Sequence, residues 1–101
     1  MHIFSAHEAY KKAYIACKRL PKLERIIITD PFSSFLYAKA VIQGRWPEAE
    51  DTIMTDPVWS HDYAAFVIKG KLPEKMHNMM LLYAIKDSNN LWVKEYFELI
   101  K

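Results

Sequence analysis

The sequence predicts an all-α fold, a small array of helical hairpins, and three observations carry that expectation. The chain repeats itself at an interval of 26 residues. It is 51% hydrophobic and 14% aromatic yet holds only two glycines, the composition of a densely packed helical interior. Its apolar positions recur at helical spacings between turn signals. Laying residues 29–54 on 55–80 gives twelve identities, among them Thr29-Asp30-Pro31 on Thr55-Asp56-Pro57, Ser34 on Ser60, Tyr37-Ala38 on Tyr63-Ala64, Val41-Ile42 on Val67-Ile68 and Pro47-Glu48 on Pro73-Glu74. Tandem periods of about 20–50 residues mark stacked supersecondary units, because one unit cannot cover its own apolar face. Running the register backwards sets Arg19-Leu20-Pro21 under Arg45-Trp46-Pro47 and Lys71-Leu72-Pro73, with Glu24 under Glu50 and Ile27 under Ile53. A single domain over 1–101 follows, with units at 3–28, 29–54 and 55–80 and a C-terminal cap at 81–101.

The elements can be justified in order. Ser5-Ala6-His7-Glu8 is a capping box and opens a helix over 5–19. A short helix over 22–28 follows; Ile26-Ile27-Ile28 is β-branched, and the repeat register is what favours helix there. Asp30 and Asp56 are N-cap residues, each followed by a proline suited to the first helical position, and they predict helices over 30–43 and 56–69. In the second of these Trp59, Tyr63, Phe66 and Val67 lie on one stripe. Gly44 and Gly70 stand where left-handed C-terminal caps are wanted. Helices over 47–54 and 73–86 restart after them, with Glu48 and Glu74 near their positive ends. Asp87-Ser88-Asn89-Asn90 reads as a turn before a last helix over 90–100, whose Trp92 and Tyr96 echo Trp59 and Tyr63 at a spacing of 33.

The string Tyr37-Ala38, Val41-Ile42-Gln43-Gly44-Arg45-Trp46-Pro47-Glu48-Ala49-Glu50, ending in Thr55-Asp56-Pro57-Val58-Trp59, resembles a short tandem helical repeat met in proteins of tailed bacteriophages and other viruses. The resemblance covers about residues 29–75; the second copy departs from it at Leu72, Lys75 and Met76, and the first unit keeps only Arg19, Pro21, Glu24 and Ile27. It implies a viral origin and an α-repeat build. No common activity comes with it.

Composition narrows the function further. A domain of this size buries about 60–70% of the surface its unfolded chain exposes, enough for one core and hardly for a deep catalytic cavity as well. No apolar run approaches a membrane span, and Met1-His2-Ile3-Phe4 lacks the charged-then-apolar order of a secretory signal, so a cytoplasmic location without membrane attachment is expected. Cys17 is the only cysteine, which leaves no internal disulfide and no thiolate zinc site. With Tyr10, Ala13, Tyr14 and Leu20 it forms an apolar stripe and is expected in the core. His2, His7, His61 and His77 show no pairing at metal-ligand spacing, and the two glycines make no phosphate loop. No metal, cofactor or catalytic residue is therefore nominated. The acidic cluster Glu48, Glu50 and Asp51 is the one feature a small hydrolase would need; Glu48 is expected to serve its helix end and the others to be solvated.

Two features point to partners. Residues 1–26 carry six bases against Glu8 and Glu24, whereas 27–72 carry four bases against six acids. Lys11, Lys12, Lys18, Arg19 and Lys22 thus form a basic face, suited to an acidic protein surface or, as a second reading, to nucleic-acid phosphate. The aromatics are too many for so small a core. Trp46, Phe32, Phe35 and Trp59, with Arg45, are the candidate partner-binding residues, since Trp, Tyr and Arg concentrate binding energy at interfaces; Trp46, a turn residue between Gly44 and Pro47, has as its other reading a plug between stacked units. The expectation is a non-enzymatic accessory factor that binds a host or phage protein, with self-association open to it should an apolar stripe be exposed.

Overall fold

Asp30 and Asp56 begin their helices as the repeat predicts. The Asp30 carboxylate accepts from the Ser33 amide at 2.8 Å and Asp56 from that of Val58 at 2.9 Å, with proline in the first turn of each helix. The structure, a computed structural model, describes residues 5–101; Met1–Phe4, and with them His2 and the start of the first unit, lie outside the described residues. Within them the chain is all-helical. Helix α1 (Ala6–Ala16) is closed at its start by the capping box of Ser5 and Glu8. Then come α2 (Pro21–Ile27), α3 (Pro31–Leu36) with a π-helical continuation Tyr37–Ile42, a 3-10 turn Pro47–Ala49 leading into α4 (Glu50–Ile53), α5 (Pro57–Tyr63) with a π continuation Ala64–Ile68, α6 (Glu74–Lys86) and α7 (Leu91–Leu99).

The π segments have a length argument behind them. In the first unit Cys17 closes a purely α-helical segment capped at Ser5, while in the next two units the same closure comes at Gln43 and Lys69, one residue further from the caps at Asp30 and Asp56. One residue too many is absorbed by widening the last turn to i→i+5 bonds, as in Lys69 N–H to the Ala64 carbonyl at 2.7 Å. The left-handed residues are therefore Cys17, Gln43 and Lys69, with φ of 57°, 61° and 63°. Gly44 and Gly70, expected to hold that conformation, do not: each follows the left-handed residue, and its amide closes back on the Ala38 or Ala64 carbonyl at 3.1 Å.

Helices α1, α3, α5 and α7 pack side by side in chain order, and each second helix leans on its own first helix, α4 and α6 also on the next one. The stack measures 44 × 25 × 19 Å. Its core is Ala9 and Ala13 of α1, Ile27, Tyr37, Trp46, Ile53, Tyr63, Leu72, Met76, Met80, Val93 and Tyr96 with smaller neighbours. The repeated serines hold one unit to the next: buried Ser34 Oγ donates to the Ile27 carbonyl at 3.0 Å and Ser60 Oγ to that of Ile53 at 3.2 Å. The change of spacing from 26 to 33 residues is taken up in α6. Seven extra residues are close to two α-helical turns, so Tyr96 returns to the azimuth of Tyr63, and Tyr83 on the added turns donates back to the Met54 carbonyl at 2.6 Å. Among the described residues no helix is long and apolar enough to cross a membrane.

Candidate functional site

The charged residues that recur with the repeat are joined in a clasp. In the first, Arg19 Nε and Glu24 Oε2 lie 2.8 Å apart with a second bond at 3.0 Å, a bidentate pair. Tyr37 Oη, from the next unit, donates to Glu24 Oε2 at 2.6 Å and accepts from the Leu20 amide at 3.0 Å. One unit on, Arg45 pairs with Glu50 at 2.7 and 3.0 Å, and Tyr63 Oη donates to Glu50 at 2.7 Å and accepts from the Trp46 amide at 2.9 Å. Each clasp satisfies a backbone amide where the second helix starts and pins it to the first helix of the following unit. The electrostatics follow. Arg19 and Tyr37 hold the Glu24 carboxyl below its ordinary value, and burial, then Glu24, pushes the Tyr37 hydroxyl up to about 12.

The third clasp has lost its ion pair. Lys71 and Met76 stand in the register of Arg45 and Glu50, and Tyr96 Oη, still accepting from the Leu72 amide at 3.1 Å, is hydrogen-bonded instead with His77 Nδ1 at 2.6 Å. The ring packs edge-on against Tyr96 and Phe97. Burial first, and the charge of Lys71 second, lower its pKa from 6.5, which favours the neutral ring. A histidine depressed in the fold is protonated first in the unfolded chain, so its contribution is present above about pH 6.5 and declines as pH falls below it. Circular dichroism melts between about pH 7.5 and pH 5 will show Tm falling with pH, and His77→Asn, whose Oδ1 takes the place of Nδ1, will flatten that fall. A slope unchanged in this variant would assign it to other groups.

The predicted site residues separate under this geometry. Trp46 is 2% exposed and plugs the space between units against the Tyr37 ring, 4.8 Å away; it is a core residue and has no surface to offer a partner. Phe35 is buried too. Phe32 and Trp59 are half-buried and stack on each other at 4.5 Å, continuing a row that begins with His7 on Phe32 at 5.8 Å. Arg45 reaches solvent but its guanidinium belongs to Glu50. On the basic face Arg19 is likewise taken by Glu24, and Lys11, Lys12, Lys18 and Lys22 are exposed. The acidic cluster divides: Glu50, expected in solvent, is 7% exposed and clasped, Asp51 pairs with Lys75 at 3.0 Å, and Glu48 is exposed. No grouping of three or more metal-ligating side chains exists among the described residues.

Cys17 is the clearest correction. It is exposed rather than packed in the core, because the chain turns left-handed at this residue and swings its side chain off the buried Ala9 and Ala13 stripe. Tyr14 beside it is 57% exposed and Ile15 80%. These residues open a second surface that the sequence reading passed over. Tyr14, Ala40 and Phe66 share one repeat register, Cys17, Gln43 and Lys69 another, and they line adjoining depressions of about 490 Å³ and 300 Å³ that meet at Gln43. Phe66 is 51% exposed, and Leu99 on α7, which follows it at the spacing of 33 that links Tyr63 to Tyr96, is exposed as well. The signal was available: Tyr14 and Phe66 stand in one register, three residues before the one that turns left-handed, and both point outward. Compared with models of protein families, with curated proteins and with solved structures, the chain gives no match.

Proposed function

We propose that the protein is a non-enzymatic accessory factor that binds and modulates another protein, encoded by a phage and acting on a host or phage partner in the host cytoplasm. The observation that carries this reading is the division of labour among its recurring residues. The titratable ones, Arg19, Glu24, Arg45, Glu50 and the clasp tyrosines, are engaged in joining units, while large apolar side chains in one register, Tyr14, Phe66 and Leu99, stay exposed. Repeat arrays use such a register as a binding surface, and exposed apolar patches mark interaction sites. Viral origin rests on the resemblance of residues 29–75 to phage helical repeats.

The test is capture by the tagged full chain from bacterial lysate, with and without nuclease, at low and moderate salt, read by mass spectrometry. A protein retained under every condition is the expected result. Retention that disappears with nuclease overturns the reading in favour of nucleic-acid binding through Lys11, Lys12, Lys18 and Lys22, whose phosphate contacts would be strongly salt-dependent.

A further inference from the structure

We infer that the depressions crossing the C-terminal ends of α1 and of the π continuations after α3 and α5 form one groove, and that it takes an extended acidic segment of the partner protein. The inference rests on the protein-binding reading and adds where the partner sits and what chemistry it presents. Three observations carry it. The first is adjacency: Gln43 belongs to both depressions, so the lining steps from Tyr14 and Cys17 in the first unit across Gln43 to Phe66 and Lys69 in the third. Packed helices lie roughly 8–10 Å apart, and crossing three of them takes about six residues of extended chain.

The second is charge. Lys39 and Lys69 line the groove and no carboxylate does. Arg19, Arg45, Lys75 and Lys101 each have a carboxylate partner, whereas Lys39 and Lys69 have none among the described residues. Lys39 instead rests its ammonium over the Phe66 ring, 4.8 Å from the centroid, a contact worth only about 0.5–1 kcal/mol at an exposed site. A carboxylate laid along the groove would meet two cations that have no carboxylate partner among the described residues, Lys39 being held by the Phe66 ring, and the excess of bases over acids in residues 1–26 would draw it in.

The third is the state of the backbone. The groove lies where three helices end; the closing amides take the Ala13, Tyr14, Ala38 and Ala64 carbonyls, and the carbonyls after these have no amide ahead of them within the helix. An extended peptide has amide donors to give these acceptors; a helical one has used its own. Between the cations, Tyr14 and Phe66 give apolar seats for alternate side chains. Single-stranded nucleic acid fits less well, because successive bases need successive aromatic platforms and the groove has Ala40 between the rings of Tyr14 and Phe66.

The experiment selects random heptapeptides on the immobilised full chain, with a Lys39→Glu, Lys69→Glu double variant as the counter-target, and uses the Cys17 thiol as a reporter of where binders sit. Selected peptides should carry Asp or Glu beside aromatic or aliphatic residues and slow alkylation of Cys17. They should lose about tenfold or more in affinity on the double variant and on Phe66→Ala, all three positions being exposed so that the fold is kept, as circular dichroism will verify. Selection of peptides without acidic preference, binders that leave Cys17 alkylation unchanged, equal affinity for the double variant, absence of any enrichment, or displacement of the peptides by a short single-stranded oligonucleotide would each overturn the inference. The two readings fail separately: a lysate protein retained equally by the double variant keeps the accessory-factor reading and removes the groove, whereas absence of any retained protein removes the accessory-factor reading itself.

Discussion

Replacing Trp46 by alanine will destabilise the protein by about 3–5 kcal/mol, the range for emptying a fully buried large aromatic site. The indole is 2% exposed and its ring sits against Tyr37, a residue of the same unit that itself reaches back to the Glu24 clasp. The cavity would open where the second and third units meet, next to the amide that Tyr63 holds. Small domains have about 5–15 kcal/mol of stability in all, and a loss of this size lowers Tm by roughly 15 °C or more. Trp46→Leu should recover most of it, because leucine occupies the same register at Leu20 and Leu72, both packed on or in the core. Thermal melts followed at 222 nm check both variants. A Trp46→Ala protein melting within a few degrees of the parent would show that the indole is not a plug. The same number guards against a misreading: loss of partner binding in Trp46→Ala would report loss of fold and not of an interface anchor.

The contrast between Trp46 and Phe66 shows what the sequence could convey. Caps, helix order and spacing were legible because they depend on local chemistry: an Asp before a Pro satisfies amides two or three residues away, and the identity of Tyr37 with Tyr63 fixes two helices in one register. Even the 33-residue echo of Tyr63 at Tyr96 was visible, although its reason, two extra turns in α6, needed the coordinates. Burial was less legible. In a repeat array the same residue types line the core and the outer surface, so Trp46, Phe35 and Phe66 look alike until the azimuth is known. The helix ends displaced it: the left-handed residue is Cys17, Gln43 and Lys69, one register in all three units and one position before Gly44 and Gly70, and that turn carried Cys17 out of the core. Arg45 and Glu50 were read as a partner contact and a solvated acid because charged residues are usually exposed. Their joint recurrence with Tyr63, seen also in Arg19, Glu24 and Tyr37, was the sign of an internal contact.

That contact makes Tyr63→Phe the most informative substitution of a single atom. The ring stays, so packing is unchanged, and the loss is confined to one hydroxyl. Without it the Trp46 amide is left buried with no acceptor and Glu50 loses a donor while remaining in a dry setting. An orphaned buried donor costs about 1–3 kcal/mol and a hydrogen bond to a charged group about 1.5–3 kcal/mol; the combined expectation is about 2–4 kcal/mol, since relaxation makes the two overlap. Tyr37→Phe makes the same chemical change where Leu20 and Glu24 are only half-buried, so water can take the place of the hydroxyl and the loss should be about 1–2 kcal/mol. Denaturant unfolding of the two variants and the parent decides the order. Burial and then the neighbouring carboxylate raise the pKa of both tyrosines, so the hydroxyls contribute in full below about pH 10 and stop contributing as pH rises through the folded values; each variant should lose part of that alkaline slope. Combining Tyr63→Phe with Glu50→Gln closes the argument, because the gap between the double loss and the separate losses measures the clasp alone. A coupling of about 0.5–3 kcal/mol is the range for residues in direct contact, and strict additivity would mean that the units are held by packing and that the clasp only satisfies groups the packing has buried.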